Sequence, residues 1–328
     1  MSTLQKPILV LGAGELGTSI IHSLTSHPSY PKETKTPLTL LVRPSTLTSP
    51  SSPDKRKQLD EFRRNLRIGI ISGDLENDSP SILADTFKPF HTVIHAGGMT
   101  TAPGTMARVT RAVLDAGVKL YLPWQYGVDY HVIGPEGGMG LFGEQCRVRS
   151  LLRSQKETRW LVVSCGMFMN FLFEPFWGVV TTATQVDSDD ESPGKLKLTA
   201  LNSWEDVLTV TTARDIGRCI AELVLDPADD APRNGVVYIA GDTLTYGQLA
   251  DVLERETGKQ MERGVWPLEY LREEAKSKPD DTLRKYHVVF SEGKGLSWPL
   301  ERTWNHEKGM ELEGVASWVR KNWVGCEQ

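Results

Sequence analysis

The stretch ILVLGAGELGTSIIHSL, residues 8–24, decides the fold. An apolar run ends abruptly in glycines, and an apolar-periodic stretch follows at once. Gly12, Gly14 and Gly17 give the spacing G-x-G-x-x-G between a strand and a helix. Each glycine has its own task in that context. Gly12 allows a tight turn, Gly14 lets the backbone approach a pyrophosphate, and Gly17 lets helix and strand pack closely. The phosphates would meet the helix start at Glu15 and Leu16, where free N–H groups and the helix dipole favour anions. A strand–helix turn without a ligand is the plainer alternative; the flanking pattern favours a bound dinucleotide.

Outward from this stretch, short apolar runs alternate with helical patterns. The runs are Ile8–Leu11, Leu38–Val42, Ile68–Ile71, Thr92–His95, Lys119–Leu122 and Trp160–Ser164. Each is bounded by Gly, Pro or polar residues, as buried parallel strands are. In TMARVTRAVLDAGV, residues 105–118, Met106, Val109, Val113 and Leu114 form an apolar stripe, and Gly117 is placed to end the helix. The alternation predicts an α/β chain: a Rossmann-type doubly wound parallel sheet with a smaller C-terminal α/β substrate lobe. The expected division is 1–170 for the dinucleotide-binding domain and 171–328 for the lobe, with some segments returning to the sheet. Residues 43–58, rich in Pro and Ser, and the acidic residues 184–195 read as irregular surface loops. In the second half, helices are expected within 211–227, 245–259 (closed by Gly258) and 314–323, with a strand in 235–241.

Composition narrows the function classes. The 328 residues are 39% hydrophobic, enough for a sizeable core, and carry a net charge of -5. That charge argues against a nucleic-acid binder, which needs a basic surface. Cys146, Cys165, Cys219 and Cys326 are widely spaced and read as reduced thiols. No leader peptide or bilayer-spanning run is read, so no membrane partner and a cytoplasmic location are expected.

The second strand bears on which dinucleotide binds. It ends LTLLVRPST with Arg43 and no acid, where an NAD binder usually carries Asp or Glu. A carboxylate would repel a 2′-phosphate, whereas Arg43 can pair with it, and Ser45 and Thr46 can donate hydrogen bonds. NADPH is therefore favoured; an ordinary solvated arginine is the alternative. No tyrosine has a lysine four residues on, so the usual short-chain dehydrogenase pair is missing. His91 and His95 lie on a strand, where four residues span roughly 13 Å, so a joint metal site is not expected. His95 either faces the cofactor or packs in the core.

LYLPWQYGVD, residues 120–129, resembles the fifth-strand motif of the NmrA-like, isoflavone-reductase-like atypical short-chain dehydrogenases, which include the phenylcoumaran benzylic ether reductases. The glycine turn, VRPST at 42–46, GDL at 73–75 and ARDIG at 213–217 fall in that family's order. PWQYGVDY, LFGEQCRVR and GMFMNFLFEP are more similar to a fungal, aromatic-alcohol-reductase-like branch. The resemblance implies NADPH and hydride delivery to small, often aromatic, molecules. It further implies cofactor contacts at Gly97, Gly98, Trp124, Gln125, Ser164, Cys165 and Gly166.

The chain departs from that family at Gln145. Aligned on Phe142, Gln145 stands where related reductases carry a catalytic lysine. A glutamine amide donates a hydrogen bond but supplies no proton. Either the chemistry differs or another group serves as the acid, with Tyr126, Asp129, Tyr130, His131 and Glu144 as candidates. Gln145 and Tyr126 are the expected catalytic residues. Phe168, Phe142 and Tyr130 are the expected substrate contacts; Phe171, Phe173, Phe176 and Trp177 are further aromatics that either wall a pocket or form core. The reading is an NADPH-dependent reductase of a small aromatic or heterocyclic compound, acting on C=C, C=O or C=N, with a secondary-metabolic imine reductase among the options. A monomer or homodimer is expected. The rival is a non-catalytic redox sensor that binds NAD(P) and a partner protein.

Overall fold

The computed structural model describes residues 6–31, 37–98, 101–182, 196–227 and 232–323, so the acidic stretch 184–195 lies outside the described residues. Strands β1 (Ile8–Leu11), β2 (Leu38–Val42), β3 (Gly69–Ser72), β4 (Thr92–His95), β5 (Leu120–Leu122) and β6 (Arg159–Ser164) fall on the apolar runs. They are followed by β7 (Met167–Phe168), β8 (Val180–Thr182), β9 (Leu196–Leu201), β10 (Val207–Thr211), β11 (Gly235–Tyr238), β12 (Asp242–Thr245) and β13 (Met261–Trp266).

Seven strands form one sheet in the order β11-β6-β5-β4-β1-β2-β3. β1 pairs parallel with both β2 and β4, and the pairs β2–β3, β4–β5 and β5–β6 are parallel as well. Every residue of β1, β2, β4 and β5 is buried, as in a sheet covered on both faces. The strand order reverses between β1 and β4. A doubly wound sheet opens a crevice at such a point, beyond the carboxyl ends of the strands. Gly12 follows β1 there, and Gly97 follows the end of β4. Helix Thr105–Asp115 stops where expected, with Gly117 at φ +71.

One expectation is corrected. Residues 43–58 are largely helical, in Pro44–Thr48 and at the start of Pro53–Arg64. Each helix begins with proline, whose fixed φ and missing N–H suit the first helical position. Ser52 caps the second, its hydroxyl accepting from the Lys55 amide at 3.1 Å, and Leu59 and Phe62 are buried. The Pro/Ser composition belongs to two helix starts and their caps.

The described residues fall into two compact units. The first takes them from 1–125, 144–163 and 216–237; the second from 126–143, 164–215 and 238–328. The first unit has its core in the large sheet, around Leu9, Leu41, Phe87, Val113 and Tyr121. The second contains the three-stranded sheets β12-β10-β7 and β13-β9-β8 and a core around Leu198, Leu208, Tyr246 and Val288. Its helix Tyr246–Thr257 opens on a Thr245/Gln248 capping box and closes at Gly258, φ +68, as the sequence suggests.

Candidate functional site

The glycine turn has the geometry that its spacing requires. Gly12 sits at φ +97, and a Cβ there would lie 3.1 Å from the Gly97 backbone. A Cβ on Gly17 would stand 2.1 Å from the Gly12 carbonyl oxygen, so only glycine lets the helix approach this closely. Gly14 differs: among the described residues, a Cβ there would meet nothing within 4 Å. It is the N-cap of helix Glu15–Ser26 and has no side-chain cap among the described residues. The helix start thus combines an end without a side-chain cap and, at Gly14, open space, which is the setting of an anion site. Glu15 is exposed, while the buried side chain of Leu16 leaves only its backbone for a ligand.

Lys55 is a cation beside this turn that sequence reasoning missed. Its Nζ donates to the Ala13 carbonyl and, at 2.8 Å, to Gln58 Oε1. Gln58 Nε2 donates in turn to Thr18 Oγ1 at 2.7 Å. Burial pushes the Lys55 pKa down. Lys55 stood in a stretch read as loop, so nothing local gave its direction.

Arg43 ends β2 with its side chain half exposed, and Ser45 beside it is exposed. The end of β2 carries no acid, but one comes from elsewhere in the chain: Glu76, from the turn after β3, places Oε2 3.4 Å from Arg43 Nη2. In the loop after β4, a Cβ on Gly98 would lie 2.7 Å from the Trp124 ring, so glycine lets the indole settle there.

Gln125 is 1% exposed, and its amide is engaged within the first unit. Oε1 accepts from Arg149 Nε at 2.8 Å, and Nε2 donates to the Gln145 carbonyl at 3.0 Å. This fastens the end of β5 to helix Gly143–Arg153, which carries Gln145. The Gln145 Oε1 is buried and has no hydrogen-bond partner among the described residues. Its neighbour Glu144, a candidate acid, caps another helix instead: its carboxylate accepts from the amides of Gly104 at 2.8 Å and Ala107 at 3.0 Å. His95 is fully buried, and neither ring nitrogen reaches a partner among the described residues in hydrogen-bonding geometry. Burial drives its pKa to about 4, opposed in part by the nearby Gly97 backbone. Of the two options for His95, the structure shows a packed core side chain.

The other candidates lie in the second unit. Ser164 and Cys165 are fully buried. Gly166 is at φ +70, with its absent Cβ only 2.0 Å from the Thr209 carbonyl oxygen. The Cys165 carbonyl accepts from Thr211 Oγ1 at 2.7 Å, which with the close approach at Gly166 ties the backbone here to β10. Phe142, an expected substrate contact, is 1% exposed, in the core, edge-on to Tyr130 at 4.6 Å between ring centroids. Tyr130 is buried with it, and Tyr126 is buried as well. Asp129 caps the short helix after it and accepts from the Tyr238 hydroxyl at 2.5 Å, while His131 is exposed. Phe168, Phe171 and Phe176 form a row with centroids 5.8 and 6.0 Å apart. Phe176 reaches a cleft of about 290 Å³ that it shares with Trp266, Tyr270 and His287.

Among the described residues, no group of three or more His, Cys, Asp or Glu could hold a metal ion. No described helix is long and apolar enough to cross a membrane.

The parallel sheet, its switch point and the open glycine turn define a Rossmann-type α/β protein. The chain belongs to the NmrA-like family, whose match spans residues 4–310. It is 39% identical over 315 residues to an NmrA-like family domain-containing oxidoreductase of Gibberella moniliformis, covering 95% of this chain and 97% of the relative. It is 25% identical over 316 residues to phenylcoumaran benzylic ether reductase 1 of Arabidopsis thaliana, covering 94% and 93%. The structure of a binary complex of leucoanthocyanidin reductase with NADPH from Vitis vinifera superposes with a TM-score of 0.67. It is 18% identical and covers 90% of this chain and 91% of that one.

Proposed function

We propose that this chain is an NADPH-dependent reductase that delivers hydride to a small aromatic or heterocyclic molecule. The observation that carries the reading is Gly14: a helix start with no side-chain cap among the described residues and open space where a Cβ would stand, with the Lys55 ammonium beside the same turn. A pyrophosphate fits that donor set, and Arg43 offers a guanidinium for a 2′-phosphate. Bound NADPH would supply the hydride. The relatives support the assignment, since one is named an oxidoreductase and another a reductase, and the grape enzyme was solved with NADPH.

The row Phe168–Phe171–Phe176 and the cleft beside it favour a flat, aromatic ligand. Gln145 holds or orients; it cannot give a proton. A protonated cyclic imine needs no acid to accept hydride, so it suits such a residue better than a ketone does. The same observations support a second reading. Glu144 and Asp129 are occupied as caps, which leaves a non-catalytic NAD(P) sensor, acting through a partner protein, as the rival.

Calorimetric titration with NADPH and NADH, followed by a turnover screen of cyclic imines, aryl aldehydes and enones, separates the two. Tighter NADPH binding with turnover on one substrate class supports the reductase, and binding without any turnover supports the sensor. Arg43→Asp should abolish the NADPH preference, a loss of roughly 10- to 100-fold for one charge-assisted contact. Equal affinities in the unmutated chain would remove Arg43 from the cofactor site.

A further inference from the structure

Glu76 is fixed on every side. Its amide donates to Asp74 Oδ1 at 2.9 Å, and its carbonyl accepts from Arg108 Nη2. Oε1 accepts from the Ala102 amide at 2.7 Å, and Oε2 faces Arg43 Nη2 at 3.4 Å. Asp74 stands beside it, its carboxyl held below the usual range chiefly by the Asn77 side chain. Arg108 Nη2 also donates to the Leu75 carbonyl at 2.9 Å, so the turn carrying Glu76 is clamped from below. The Arg43 side chain is half exposed and its contact to Glu76 is long. The arginine is thus free to turn towards a ligand, whereas the carboxylate cannot withdraw without giving up the Ala102 anchor.

We propose that Glu76 is a specificity-determining residue that narrows the choice between NADPH and NADH. This rests on the reading that the glycine turn and Arg43 hold a nicotinamide dinucleotide. A 2′-phosphate drawn to Arg43 brings negative charge towards a carboxylate that stays where it is, and the phosphate must also displace it from the guanidinium. A 2′-hydroxyl brings no charge and can donate to a carboxylate, which is what acids near this position do in NAD binders. Glu76 therefore opposes one cofactor and tolerates or assists the other. It comes from the turn after β3, not from the end of β2.

The test is Glu76→Gln, which keeps an oxygen to accept from Ala102 and removes the charge. Calorimetric titration of the full chain should show NADPH tightened by roughly two- to fivefold, the scale of one partly exposed ion pair, with NADH unchanged or weaker. Salt should shrink the difference between variant and wild type. Glu76→Ala, which removes the anchor as well, should move the ratio of the two affinities in the same direction. A ratio unchanged in Glu76→Gln overturns the proposal. So does a shift seen only in Glu76→Ala, which would assign the effect to the Ala102 anchor. Binding of neither cofactor by the unmutated chain overturns the dinucleotide reading itself and this proposal with it, whereas normal binding with an unmoved ratio overturns this proposal alone.

Discussion

Gln125 Oε1 accepts a 2.8 Å hydrogen bond from Arg149 Nε, and both side chains are almost wholly buried. The same amide holds the Gln145 carbonyl through its Nε2. One side chain therefore fixes how helix Gly143–Arg153 meets the end of β5. Gln125→Leu would leave buried polar groups on Arg149 and Gln145 without this partner. The expected cost is about 1–3 kcal/mol per stranded group, more where the group is charged. Urea denaturation measures it; a midpoint equal to that of the unmutated chain would show the bond to be dispensable.

The two glycines three residues apart should fail in opposite ways. Gly14→Val adds a side chain facing open space, so the fold should survive while NADPH binding is lost. Gly17→Val drives its Cβ into the Gly12 carbonyl, so the protein itself should be destabilised, by about 1–3 kcal/mol or more. Thermal melting alongside fluorescence titration separates the outcomes. Normal NADPH binding by Gly14→Val would refute the proposed binding mode.

Gln145→Met keeps the length of the side chain and removes its hydrogen bonding. The Oε1 has no partner among the described residues, so stability should hold or rise slightly. If the amide positions cofactor or substrate, turnover should fall roughly 10-fold, or about 1.4 kcal/mol. A loss of roughly 100- to 10,000-fold would be too large for one positioning bond and would overturn the positioning role. Unchanged turnover would place Gln145 outside the site.

Acid should destabilise the chain through His95. Burial lowers its pKa from 6.5 to about 4 in the fold. Between those values the unfolded chain binds a proton that the folded chain does not. This contribution to stability is therefore present above pH 6.5 and is lost as the pH falls towards about 4. His91 and His287 are also lowered by burial and act with the same sign. His95→Leu should flatten the dependence of unfolding free energy on pH within that window. An unaltered slope would show that His95 does not titrate in this way.

Much of the fold is legible because it is written in local periodicity. β1, its turn and the following helix are contiguous, and their strand pattern, glycine spacing and apolar stripe can each be read from neighbours in the chain. The first six strands follow for the same reason. The partners around the candidate site are another matter. Lys55 meets Ala13 across 42 residues, Glu76 meets Arg43 across 33, and Glu144 meets Gly104 across 40. Such pairings depend on which strands adjoin and how helices rotate, and no local pattern encodes them. The misreading of 43–58 has a different cause. Pro and Ser mark both loops and helix starts, and only the burial of Leu59 and Phe62 tells them apart.

The carboxylate of Glu144 also bears on the order in which the molecule assembles. Helix Thr105–Asp115 begins at Gly104, a left-handed residue with no side chain to offer, and takes its cap from a residue 40 positions later in the chain. A growing polypeptide that has reached the end of this helix has not yet made the group that completes its first turn. A fragment ending at β5 would carry five of the sheet's seven strands, β1–β5, and a helix beside the loop after β4 that still lacks the Glu144 carboxylate for its first turn.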